Sequence, residues 1–186
     1  MAGDDIVRQS SSSPVAASSR APEPEQERDA EVQEFLGFAL SQESYALPLS
    51  TIREILKPPP ITEVPRAPAD VPGIISVRGR IITVVDLARR LRLPESRRGR
   101  KTRILLVDAG VEVIGLLVDH VLQVFRLREE EIELAHAAAG DLAEYVLGIG
   151  RPRGGRGVGR ARDITAPLHR DDDILILLDP APLLKR

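Results

Sequence analysis

From Val32 onward the chain is written in short apolar runs with a period of two, broken by polar, glycine or proline clusters. Leu36, Phe38 and Leu40 alternate with smaller residues and predict a strand. Ser41-Gln42-Glu43-Ser44 is a polar turn, and Tyr45-Ala46-Leu47-Pro48-Leu49 returns as a second strand whose Pro48 marks an edge or an irregular end. Val71 to Val77 and Ile81 to Val85 read as two further strands joined at Arg78-Gly79-Arg80. Their β-branched residues suit a pleated, buried surface, and Gly79 supplies the backbone freedom of a tight hairpin. Arg103–Val107, Val111–Val118, Tyr145–Gly150 and Ile174–Leu178 continue the series. Roughly nine or ten short strands, these eight among them, with turns every eight to twelve residues give the pattern of a barrel or sandwich.

Helical signals are brief. Thr51-Ile52-Arg53-Glu54 fits a capping box that opens one helical turn, carried on by Ile55-Leu56-Lys57 and stopped by Pro58-Pro59-Pro60. That reading turns Ile55 inward. Asp86 can cap a helix over Leu87 to Arg92, with Leu87 and Leu91 on one face, and Pro180 suits the first turn of a short closing helix. Gly115 inside a strand marks a bulge or a close backbone approach. Asp119 is read as a turn or cap acceptor.

Residues 1–30 break the pattern. They hold Ser10-Ser11-Ser12-Ser13, three prolines, and three arginines against six acidic residues, with almost no large apolar groups. Such a segment cannot bury enough surface to offset its ordering entropy, so a disordered acidic tail is expected, with the folded domain over 31–186. A second break, at about 151–173, sets Arg151, Arg153, Arg156, Arg160 and Arg162 among Gly154, Gly155, Gly157 and Gly159.

Composition narrows the chemistry. Hydrophobic residues make up 42% of the chain, but there are only three Phe, two Tyr and no Trp, so the core must be aliphatic. The absence of cysteine excludes disulfides, thiolate nucleophiles and Cys-based metal sites, and it fits a cytoplasmic setting. A net charge of −2 argues against a protein that coats nucleic acid. The N-terminus lacks the apolar core of a signal peptide, and no run approaches the ~20 residues of a membrane-spanning helix. His120, His136 and His169 are isolated, and no Gly-x-Ser-x-Gly elbow is present. Gly155-x-Gly157-x-Gly159 lacks both the following capped helix and the Lys-Ser/Thr pair of a phosphate cradle. No catalytic residue, cofactor or metal ligand is therefore assigned, and an enzyme is not expected. One rival use remains, RNA binding by the Arg/Gly-rich loop 151–162.

Three separated motifs carry a family resemblance. Gly73-Ile74-Ile75-Ser76-Val77-Arg78-Gly79 leads through Ile81–Val85 to Asp86-Leu87. Gly115-Leu116-Leu117-Val118-Asp119 precedes Val121, and Tyr145-Val146-Leu147-Gly148-Ile149-Gly150 follows. In this order they resemble CheW-like chemotaxis coupling domains, from about Val32 to Leu184. Ser76 stands where that family commonly has asparagine, Thr83 where it has proline, and the turn after Gly150 is expanded. The resemblance implies two small SH3-like five-stranded β-barrels packed together with short helices. It implies a non-enzymatic adaptor of chemotaxis-type signal transduction, found in the cytoplasm at membrane receptor arrays. Its partners would be a CheA-type histidine kinase and the cytoplasmic tip of a methyl-accepting chemoreceptor, the latter held in a groove between the barrels. Arg78, Glu54 and Ile52 are the residues onto which partner binding carries over.

Overall fold

The structure is a computed structural model that describes residues 32–94, 98–110, 112–135, 144–152, 157–158 and 174–184. The acidic tail expected at 1–30 and most of the loop at 151–173 lie outside the described residues. The fold is mostly β, in two sheets, as the strand pattern required.

One sheet is built from the two ends of the domain: β1 (Val32–Leu40), β2 (Glu43–Pro48), β8 (His120–Arg128), β9 (Ile132–Leu134), β10 (Val146–Gly150), β11 (Gly157–Val158) and β12 (Leu175–Leu178). Its strand order is β11-β8-β1-β2-β12-β10-β9. The other is one continuous insertion: β3 (Ile52–Leu56), β4 (Gly73–Val77), β5 (Arg80–Asp86), β6 (Arg103–Asp108) and β7 (Val113–Val118), ordered β3-β6-β7-β5-β4. The expected five strands per lobe hold for the second sheet. The first carries the very short β9 and β11 in addition, one at each edge. β11 is a described part of the Arg/Gly-rich loop, as are Arg151 and Pro152, and it pairs with Phe125 and Val124 of β8.

Why the strands are apolar without a polar face becomes clear from the packing. Leu105 and Val107 of β6 enter a core shared by the two sheets, whereas Ile104 and Leu106, pointing the other way, enter a second core with Ile75, Ile82 and Val84. In the larger sheet Phe38, Leu40, Tyr45 and Leu47 face the shared core, and Phe35, Ala46, Phe125 and Leu127 enclose a third. A strand buried on both faces reads as a continuous hydrophobic run. Each sheet also curls. Leu56 on edge strand β3 packs into the same cluster as Ile75 and Val77 on the opposite edge strand β4. Across the larger sheet, the position of a Cβ on Gly150 of β10 would lie 2.6 Å from Leu127 Cδ1 of β8. The architecture is thus two curled sheets, each around its own hydrophobic core, pressed together over a third.

The helical turn expected over Thr51–Lys57 is not formed. The Thr51 hydroxyl donates to the Pro48 carbonyl at 2.7 Å and closes a 3-10 turn over Leu49–Thr51, after which Ile52–Leu56 pairs with β6 as β3. Five residues with three branched or long aliphatics complete an open sheet edge, and those ladder bonds outweigh one helical turn with a costly nucleus. Ile55, read as inward, is 42% exposed for the same reason. The other helices are α1 (Leu87–Arg90), capped by the Asp86 carboxylate accepting from the Arg89 N–H, and α2 (Pro180–Leu183), capped by Asp179. Asp119 is the expected turn acceptor, taking the Ser41 N–H at 2.7 Å.

Gly37 sits where β1 shifts register against β8. A Cβ there would meet Phe125 Cε2 at 2.3 Å. Gly37→Ala is expected to cost about 1–3 kcal/mol, as overpacked cores do, read from the urea midpoint. Combined with Phe125→Leu the two costs should be clearly less than additive; strict additivity would show that the ring does not occupy the glycine's space.

Candidate functional site

The tip of the β4–β5 hairpin is a two-residue turn, Arg78-Gly79, between paired Val77 and Arg80. Both central residues have positive φ, +50° at Arg78 and +80° at Gly79. These are the dihedrals of a type I′ turn, whose twist matches that of the flanking strands. Asn, Asp or Gly ordinarily fill its first central position, and an arginine there holds a sparsely populated conformation. Its side chain is 80% exposed, and its guanidinium bonds Glu54 Oε1 at 2.9 Å.

That contact joins the two edges of the smaller sheet, since Glu54 belongs to β3 and Arg78 to the turn after β4. What aims Glu54 is a β-bulge. Ile52 pairs with Val107 and Glu54 with Leu106, leaving Arg53 as the extra residue. The bulge switches the strand's parity. Ile52 packs against the shared core, while Leu56, which a regular strand would put on the same face, packs into the sheet's own core. Arg53 itself bonds Asp108 at 2.5 Å across the β3–β6 pair. Of the three residues singled out in the sequence, Glu54 and Arg78 are therefore in contact, and Ile52 is half-buried against the shared core.

Between the lobes lies a groove of about 750 Å³. Ile74, Thr83, Val85 and Ile114 of the smaller sheet form its floor, the segment Val64–Val71 one wall, and Tyr145 with Leu183 and Leu184 the other. Hydrogen bonding to Glu144, with burial second, raises the Tyr145 hydroxyl above the usual phenol range, so it stays protonated. The floor continues to the hairpin tip. Ser76 pairs with Ile81 two residues beyond the Ile74–Thr83 pair, so Ile81 lies on the same face, and it is 67% exposed. A large aliphatic left open near Arg78 is a surface feature that the strand pattern alone did not mark. Neither was the 64–71 wall marked, although Pro65 and Pro68 around apolar Val64 and Val71 were its signal. The groove is lined mainly by apolar side chains, with Arg66, Asp70, Arg90 and Glu144 as its charged groups. Among the described residues no three His, Asp or Glu side chains group as metal ligands, and no helix is long and apolar enough to cross a membrane.

The family model of the CheW-like domain matches residues 34–186. The chain belongs to the CheW-like family. It is similar to the chemotaxis protein CheW of Helicobacter pylori, 30% identical over 126 residues, covering 68% of this chain and 76% of that protein. It is likewise similar to CheW of Thermotoga maritima, 35% identical over 105 residues, 56% of this chain and 69% of that one. Among solved structures, the scaffolding protein TtCheW of Thermoanaerobacter tengcongensis superposes with a TM-score of 0.66 at 27% identity, covering 80% of this chain and 90% of that one. CheW-like proteins are chemotaxis scaffolds, and the two-lobed β architecture with few, short helices is shared with TtCheW.

Asp108 offers a direct check on the bulge. Its carboxyl is held below the usual carboxylate range, chiefly by the Arg53 hydrogen bond and then by the Gly110 N–H. A lowered folded-state pKa means that its contribution to stability is present above the unfolded value and is lost as pH falls through the folded one. Arg53→Ala should move the Asp108 titration upward, toward the ordinary carboxylate value, in a carboxyl-carbon NMR titration. An unmoved titration would show that Arg53 does not hold Asp108 in solution.

Proposed function

We propose that this protein is a non-enzymatic adaptor that couples a chemoreceptor to a CheA-type histidine kinase in the cytoplasm. The observation that carries this reading is the apolar groove between two packed lobes, with an exposed cation, Arg78, fixed at one end of its floor. An amphipathic helix lays its apolar face into such a groove and leaves its polar face to the rim. In this reading the cytoplasmic tip of a methyl-accepting chemoreceptor lies along Ile81, Thr83 and Ile74, and Arg78 bonds a carboxylate or a carbonyl on it. The Glu54 partner pre-orients the guanidinium, which lowers the entropy lost on binding. Ile52 and Glu54, at the start of the edge strand β3, serve the contact with the kinase. An interface near 800 Å² per partner is ordinary for specific recognition. The family assignment and the likeness to TtCheW support this role, and the groove calls for no chemistry by the protein itself.

Arg78→Glu should weaken capture of a purified receptor-tip fragment on the order of tenfold or more, because it sets a carboxylate against Glu54 and against any acidic group of the partner. Its melting temperature should stay nearly unchanged, since an exposed ion pair is worth about 0–1 kcal/mol. Capture at the wild-type level would remove Arg78 from the interface, and a collapsed melt would make it a structural residue. Co-purification of the unaltered protein with a CheA-type kinase, with and without that fragment, tests the adaptor role itself.

A further inference from the structure

Arg90, the last residue of α1, makes contacts that the partner-binding reading leaves unused. Its Nη1 donates to the Leu183 carbonyl of α2 at 2.7 Å, and its Nε bonds the Asp70 carboxylate. These partners lie 93 and 20 residues away along the chain, and they belong to the two opposite walls of the groove. The pair is largely shielded, with the Arg90 side chain 16% and the Asp70 side chain 20% exposed. Asp70 is anchored in turn, because its backbone carbonyl accepts the Asp86 N–H at 2.7 Å. On the other wall, α2 hangs at its start from the Asp179 N–H bond to the Tyr145 carbonyl, at 2.8 Å. At its end Leu183 contributes one of the carbonyls that a helix terminus leaves without an internal partner. Arg90 satisfies it.

The same two side chains also close the groove at one end. Beyond them is a second depression of about 580 Å³, lined by Ala69, Asp70, Arg89, Arg90, Arg92 and Leu93. Asp70 and Arg90 line both spaces and form the partition between them. A guanidinium suits this task because its planar fork bonds a carboxylate and a carbonyl at once, whereas an ammonium is a single point donor.

We propose that Arg90 is a positioning residue for the groove: it sets the separation of the 64–71 wall from α2 and the position of the closed end. It thereby tunes affinity for a helical partner that it need not touch. The identity of that partner rests on the adaptor reading; the clamp itself does not. A wall that is free to move presents the fitting width for only part of the time, and apparent affinity falls by that fraction.

The test uses the full chain as Arg90→Met, which keeps bulk and removes both bonds, and Asp70→Asn, which removes only the charged partner. Amide exchange of Val71 and Leu184, one on each wall, should quicken by about tenfold in Arg90→Met while amides of β6 and β7 hold their protection. Affinity for a receptor-tip fragment should fall by about tenfold as well. Asp70→Asn should quicken Val71 and leave Leu184 near the wild-type rate, a split that general loss of stability would not produce. Unchanged exchange at both walls in Arg90→Met overturns the proposal, as does faster exchange with unaltered affinity. If Arg90→Met also exposes β6 and β7, the Asp70→Asn split decides, and equal effects on both walls overturn it. Failure of the unaltered protein to bind the fragment would sink the adaptor reading alone, since the exchange pattern would still decide the clamp.

Discussion

The central strands of both sheets are buried on both faces, so neither sheet can lie fully open to water on either side. Removing that much aliphatic surface from solvent, at about 25 cal/mol per Å², is the main favourable term in the fold. It leaves each sheet one solution for its inner face, which is to curl around it, and one for its outer face, which is to press against the other sheet. Leu105 and Ile104 show the division within two neighbouring residues, one in the shared core and one in the smaller sheet's own. With few aromatics, these cores rest on interdigitated Val, Ile and Leu, and small residues such as Gly37 and Gly115 mark where a neighbour's side chain takes the space.

Pressing two curled bodies together cannot cover both outer surfaces completely. The uncovered remainder is the groove, and its floor is the continuation of the surface that elsewhere forms the shared core: Val85 and Ile114 belong to both. The candidate binding surface is thus a part of the core that two convex bodies leave open. Its walls are the 64–71 stretch and the short helix α2, held by packing of Val71 and Leu183 on the shared core and by polar contacts rather than by strand ladders. Arg90 and Asp70 matter there because nothing else among the described contacts ties the two walls through one side chain.

Local chemistry explains how charged residues reach the rim. A bulge at Arg53 changes the parity of β3, and a left-handed pair of turn residues aims Arg78 back across the mouth of the smaller sheet. Glu54 and Arg78, 24 residues apart in sequence, meet only because the sheet curls until its first and last strands face each other. Arg78 is not held by burial, its side chain being 80% exposed. The positions of both residues come from backbone geometry, and this suits a contact that must stay available to a partner.

The sequence by itself determined eight of the strands, the hairpin tip at Arg78-Gly79, the cap at Asp86, the closing helix that opens at Pro180, and the family to which the three motifs point; it did not mark β8, β9 or β11 as strands. These are local or pairwise matters, written in period-two alternation, turn residues and capping side chains. It misread Thr51–Lys57, because a capping-box pattern and an edge strand share the same few residues and only the vacant edge of β6 chooses between them. It did not mark Ile81 as open or the 64–71 segment as a wall. Exposure of an aliphatic in a strand depends on what lies opposite, and that is decided where the two sheets meet. The Glu54–Arg78 contact, the groove and the Arg90 clamp likewise belong to tertiary structure alone, for each is made by segments that chain order keeps apart and a shared aliphatic core brings together.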